Sequence, residues 1–257
     1  MSKSLITNLR KLSKKKYRME KRQFVAEGLR TVEQILSNKL IRIDYLVFDE
    51  SGEAWKVPVF LRSGDSVQII KVNHKQFLEL SDTDNPQGVL AVCRIPEPAE
   101  LLSFNLGKGC LVALNRIQDP GNAGTILRTA AWFGATGMLC DEGTVDLFHP
   151  KVVRSTAGAT GSIDWWEGDL ETALTELESK GWETYLLDAG EQSITLKDVK
   201  PDPKSILVIG NEAGGLDQAL VKPHRTLIRI PGTNRNDAVE SLNASVALSV
   251  ALYEFVR

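Results

Sequence analysis

Three short segments gather the residue types that could do chemistry, and each lies where an apolar, strand-like run ends. The first is NRIQDPGNAGTILRTA at 115–130. Asp119-Pro120-Gly121-Asn122 reads as a tight turn, with Asn122 placed to cap the helix that follows. Arg128 stands one turn beyond Gly124. Helical side chains lean toward the helix start, so its guanidinium would reach back over a residue with no side chain. That leaves a cation above open space at a helix start, where anions also bind well. The plain alternative is a surface arginine paired with an acid. The second segment, LVIGNEAGGL at 207–216, sets Gly210, Gly214, Gly215 and one acid, Glu212, directly after an apolar strand. Such a loop lets backbone approach a ligand closely, or it is simply a turn into the next helix. The third is IRIP at 228–231 followed by ESLNASVA at 240–247. Ser241 or Asn243 can cap the last helix there, but a cap does not need both of them plus Glu240.

The elements that must position these segments alternate between strand and helix periodicity. Strands are expected at 24–28, 41–48, 67–72 and 88–93, with helices near 5–16, 29–36 and 76–80. This is a small α/β unit over residues 1–95. Two prolines, two acids and two glycines at 96–109 read as a linker. Beyond it, apolar strands at 111–114, 137–140, 184–187, 206–209 and 228–230 alternate with helices at 124–133, 170–180 and 244–256. That pattern predicts an α/β domain over 110–257, built on a parallel sheet covered on both faces. The last helix is polar only at Ser245, Ser249 and Glu254, so it should be buried in a core or a subunit interface.

Composition narrows the class. With 257 residues, 42% hydrophobic and 25% charged, the chain is globular and long enough for two domains. No apolar run approaches the roughly eighteen residues of a membrane helix, and Met-Ser-Lys-Ser is not the start of a secretory signal. Cys93, Cys110 and Cys140 form no CxxC pair and have no nearby histidine, so neither a disulfide framework nor a zinc site is expected, and a reducing compartment is. The net charge of −2 conceals ten Lys/Arg against two acids in residues 1–30. A basic arm on an acidic body, carried by Lys14, Lys15, Lys16, Arg18, Lys21 and Arg22, is suited to nucleic-acid phosphates. A solvated amphipathic helix is the bland reading of the same charges. A P-loop is ruled out because no Gly-Lys-Ser/Thr follows the glycines at 210–215. A dinucleotide fold would need its glycine fingerprint after the first strand, where Leu114 is followed instead by Asn-Arg-Ile-Gln-Asp-Pro.

In their order and spacing, DPGNAGTILRTA at 119–130, IGNEAGGL at 209–216, and IP at 230–231 with ESLNASVA at 240–247 resemble the SPOUT superfamily. Within it they are similar to the SpoU/TrmH-type RNA ribose 2′-O-methyltransferases, and KVVRSTAGA at 151–159 supports the match. FVAEGLRTVEQIL at 24–36 and QGVLAV at 87–92 are similar to the family's substrate-binding domain, itself like ribosomal proteins that bind RNA turns. The resemblance implies a C-terminal domain whose last segment threads a trefoil knot and holds S-adenosylmethionine. By motif match the cofactor lies against Gly210, Ile230 and Leu242, with Ile209 and Asn211 beside them. Arg128 then acts on the ribose 2′-hydroxyl with Asn122 close by, and Glu212, Ser241 and Asn243 orient the ribose or the methionine part of the cofactor. The stretch GTNRNDAV at 232–239 is longer than the family usually has.

The chemistry suits these residues. A sulfonium methyl is already activated and leaves a neutral thioether, so no metal is called for. Arginine stays charged and is a poor base, but it stabilises a developing alkoxide, while asparagine and serine position it. The resemblance further implies a cytoplasmic homodimer paired through the C-terminal domain. Relatives that modify transfer RNA often lack a separate N-terminal domain, so ribosomal RNA, of the 23S type, is the expected substrate. Transfer RNA and a non-catalytic RNA-binding protein on the same scaffold are the alternatives.

Overall fold

The computed structural model describes residues 3–38, 40–56, 67–190, 192–232 and 241–257. The chain divides into two compact units, Met1–Glu97 with Asp146–Ser162, and Pro98–Val145 with Ile163–Arg257. In the first unit, β1 (Gln23–Glu27), β2 (Ile43–Asp49), β3 (Gln68–Val72) and β4 (Val89–Arg94) form a mixed sheet in the order β1-β4-β2-β3. β4 runs antiparallel to β1 and β2, and β3 pairs parallel with β2. Four helices flank it in sequence: α1 (Lys3–Lys11), α2 (Lys15–Lys21), α3 (Leu29–Asn38) and α4 (His74–Leu80). Leu9 and Leu12 pack against Val47, Ile70, Phe77 and Leu90 to make this unit's core.

The single helix expected over 5–16 is two helices. Buried Arg18 donates to the carbonyls of Leu12 at 2.9 Å and Ser13 at 2.8 Å, which a continuous helix would have used itself.

The second unit carries seven strands, β5 (Gly109–Leu114), β6 (Gly137–Asp141), β7 (Trp165–Gly168), β8 (Glu183–Leu187), β9 (Ile194–Thr195), β10 (Lys204–Ile209) and β11 (Thr226–Arg229). Their order is β7-β6-β5-β10-β8-β11-β9, and every pairing is parallel. The helices of this half of the sequence are α5 (Pro120–Trp132), α6 (Pro150–Ser155), α7 (Leu170–Glu178) and α8 (Ala244–Val256). β5 and β10 are buried over almost their whole length, as a parallel sheet covered on both faces requires. Leu111, Leu139, Leu174, Trp182, Leu186 and Ile206 make this core. The three cysteines are free and buried, and burial pushes the Cys110 thiol up to about 12.

Two boundaries differ from the sequence expectation. The stretch 98–109 belongs to the second unit, where Phe104 is buried in the core and Ala99 N–H bonds the Trp165 carbonyl. Residues 146–162, between β6 and β7 in sequence, belong to the first unit. There the Phe148 ring lies 5.2 Å from that of Phe24, and Asp146 receives Arg18 at 2.6 Å. Apolar and ionic partners more than a hundred residues away decide that assignment.

Candidate active site

β5 and β10 are neighbours in the sheet, yet the chain leaves them in opposite directions, so the loops at their C-terminal ends open a crevice. After β5, α5 begins one turn earlier than its apolar periodicity suggests. Asp119, not Asn122, is its N-cap, accepting the Asn122 backbone N–H at 2.7 Å, with Pro120 in the first turn. A Cβ at Gly121 would sit 2.9 Å from Asp119 Oδ1, so a larger residue there would have to shift the capping carboxylate. The Asn122 side chain, released from capping, is buried and free to bond elsewhere.

After β10, residues 210–216 fold into a closed loop. Asn211 and Gly215 exchange backbone bonds at 2.9 Å, and Asn211 Oδ1 accepts from the N–H groups of Ala213 and Gly214. Asn211 Nδ2 donates to the Arg116 carbonyl at 2.7 Å. The Asn211 side chain is therefore spent on loop shape. A Cβ at Gly210 would lie 2.4 Å from the Gly215 backbone, so the loop closes only over glycine.

Beyond β11, Asn243 is the N-cap of α8. Its Oδ1 accepts from Ser245 N–H at 3.0 Å and from Ser245 Oγ at 2.7 Å. Ser241 and Leu242 are exposed beside it, and Glu240 and the long 233–239 stretch lie outside the described residues.

A chain of side-chain bonds ties these three places together. Asn243 Nδ2 donates to Asn122 Oδ1 at 3.0 Å, and Asn122 Nδ2 donates to Glu212 Oε1 at 2.8 Å. The two asparagine amides are thereby oriented by a cap at one end and a carboxylate at the other. Alongside runs a cleft of about 940 Å³, lined by Ile209, Gly210, Asn211, Glu212, Ile230, Ser241, Leu242 and Asn243. That is the size of a small-molecule cofactor site. Two further charged residues line it, which sequence reasoning did not single out: Asp188 after β8 and Arg229 at the end of β11. Their signal was only position, at strand C-termini beside the crevice.

Arg128 is not among the residues lining the cleft. It is exposed on α5, six residues on from Asn122, and no hydrogen bond or ion pair engages it among the described residues. Of the basic arm, Lys14, Lys15, Lys16 and Lys21 are exposed. Arg18 has to be removed from that set: it is 1% exposed, bound to Asp146 and to two carbonyls, and offers no phosphate contact. Arg22 is half-buried at φ 51, closing α2, and bonds the Pro96 carbonyl at 3.0 Å and Glu97 at 2.8 Å.

Residues 109–253 match the SpoU rRNA Methylase family, and residues 3–91 match the MRM3-like substrate binding domain. A 23S rRNA (guanosine(2553)-2′-O)-methyltransferase, RlmP of Bacillus subtilis, is 29% identical over 96% of this chain and 94% of its own. An AdoMet-bound rRNA methyltransferase from Sinorhizobium meliloti superposes with a TM-score of 0.83 at 29% identity, covering 98% of this chain and 94% of its own. A structure concerned with 2-OH methylation of C/U34 on tRNA is 25% identical with a TM-score of 0.51, and covers 58% of this chain and 94% of its own.

Proposed function

Because this chain belongs to the SpoU rRNA methylase family, whose members are S-adenosylmethionine-dependent RNA ribose 2′-O-methyltransferases, we propose that it methylates a single ribose 2′-hydroxyl of large-subunit ribosomal RNA. The observation that carries the choice of RNA is coverage. The 23S relative matches both units end to end, whereas the tRNA relative matches little more than half of the chain. A separate N-terminal unit with exposed lysines is what a large structured RNA would be read by.

The cleft fits the cofactor. Its volume suits a nucleoside bearing an amino-acid tail. Ile209, Gly210, Ile230 and Leu242 would hold the nucleoside, largely through backbone. When bound, S-adenosylmethionine supplies the activated methyl. The 2′-oxygen sheds its proton to water or an RNA phosphate as it attacks, and Arg128, permanently charged, stabilises the alkoxide that develops. Asn122, held between Glu212 and Asn243, fixes the ribose in line, with Ser241 beside them.

Two structural readings accompany this one. The C-terminal segment that ends in α8 is threaded through a trefoil knot. The protein works as a cytoplasmic homodimer: α8 buries Ala244, Leu248, Ala251 and Leu252 but exposes Val246, Val250, Tyr253 and Val256, and Trp132 on α5 is 83% exposed. Apolar surface of that kind marks a partner face.

The test is methyl transfer from labelled S-adenosylmethionine to purified RNAs. Label entering large-subunit ribosomal RNA and not transfer RNA is the expected result. Label entering transfer RNA alone would overturn the choice of substrate.

A further inference from the structure

Arg229 carries a buried donor that bonds nothing among the described residues. Its Nε is shielded from solvent, finds no hydrogen-bond partner there, and belongs to a side chain that lines the cofactor cleft. An unmet buried donor on a charged group costs stability, and a ligand that satisfies it recovers that cost. The cleft's charges say which ligand group this is. Among the described residues lining it, Asp188 and Glu212 are the anions and Arg229 is the cation. S-adenosylmethionine bears the opposite set, a sulfonium and an ammonium against one carboxylate. Asp188 is already oriented, its Oδ2 accepting from Gly190 N–H at 2.9 Å and Ser193 Oγ at 3.0 Å, so its other oxygen is left for a cation.

We propose that Arg229 binds the carboxylate of the cofactor's amino-acid tail, and so selects a ligand with an intact amino acid over a bare or decarboxylated nucleoside. This rests on the cofactor reading above. Arg229 sits on β11, whose Ile228 pairs with Leu187 of β8 just before Asp188, so cation and anion project from adjacent strand ends. A planar guanidinium on a rigid strand suits a carboxylate better than a flexible lysine does.

Calorimetry with S-adenosylmethionine and with its decarboxylated form tests this without any activity measurement, because the two ligands differ only in the carboxylate. The wild type should prefer S-adenosylmethionine by about 10- to 100-fold, as expected for one charge-assisted hydrogen-bonded pair. Arg229→Gln should erase that preference by weakening S-adenosylmethionine alone, leaving the decarboxylated ligand within twofold, and Arg229→Lys should retain part of it. Equal affinities in the wild type, or equal losses for both ligands in Arg229→Gln, would overturn the assignment; the wild-type comparison holds even if a variant misfolds. Failure of the wild type to bind either ligand would instead overturn the cofactor reading.

Discussion

Replacing Asn122 with aspartate isolates the central hydrogen-bond chain, because the change alters one atom and no volume. The acceptor that receives Asn243 Nδ2 at 3.0 Å is retained, while the donor aimed at Glu212 Oε1 from 2.8 Å becomes a second anion. Two unit charges at that distance repel by about 6 kcal/mol at an effective dielectric near 20. Water around exposed Glu212 screens this to about 2 kcal/mol, and like-charge repulsion of that kind raises the pKa of one carboxyl of the variant pair. The lost bond to a charged acceptor adds about 1.5–3 kcal/mol, which is about 10- to 150-fold in rate if the ribose is no longer aligned. The sign of the pH dependence follows. Above the raised pKa both carboxyls are ionised and the chain is broken. Below it they share a proton, an O–H donates again, and alignment returns. Turnover of Asn122→Asp relative to wild type, at saturating RNA and cofactor, should therefore be lowest near pH 8 and climb as pH falls into the acid range. Wild-type turnover at pH 8, or a deficit that stays constant across that range, would refute the positioning role.

Arg128→Ala should slow transfer by about 10²–10³-fold while cofactor affinity by calorimetry stays within a few-fold; undiminished turnover would remove Arg128 from the reaction. Val246→Glu with Val250→Glu should yield folded monomers by light scattering, and a wild type that is monomeric at micromolar concentration would contradict the paired form. Leu252→Glu, at a fully buried position, should instead unfold the second unit, seen as lost near-ultraviolet dichroism. Replacing Lys14, Lys15 and Lys16 with alanine should lower the slope of log affinity against log salt for RNA by roughly 2–3. Arg18→Ala should leave that slope alone and cost about 3–5 kcal/mol of stability in denaturant unfolding, because it strands buried Asp146.

Most of the second unit was legible from sequence because parallel strands buried on both faces read as bare apolar runs. LVAL at 111–114 and ILVI at 206–209 could be little else. β7 and β9 were not legible: Trp165–Gly168 is short and half-buried, and Ile194–Thr195 is two residues at a sheet edge. Local reading also failed where a distant partner decides. Arg18 looks like any other member of a basic run until Asp146, far along the chain, pairs with it. Residues 146–162 interrupt the second unit in sequence but pack with the first through Phe148 on Phe24. At the site, capping logic found the helix but started it one turn late, since Asp119 and Asn122 are both good caps and only the turn geometry chooses. The convergence of Asn122, Glu212 and Asn243 was implied by motif resemblance, whereas Asp188 lies in none of the three segments and Arg229, though inside IRIP at 228–231, was given no role until the cleft was seen.

The most direct test of substrate and chemistry together is a map of ribose 2′-O-methylation in total RNA from a strain lacking this protein. One large-subunit ribosomal position should lose its methyl, regain it with the wild-type chain, and stay unmodified with Arg128→Ala. An unchanged ribosomal map, or a methyl lost only from transfer RNA, would contradict the assignment.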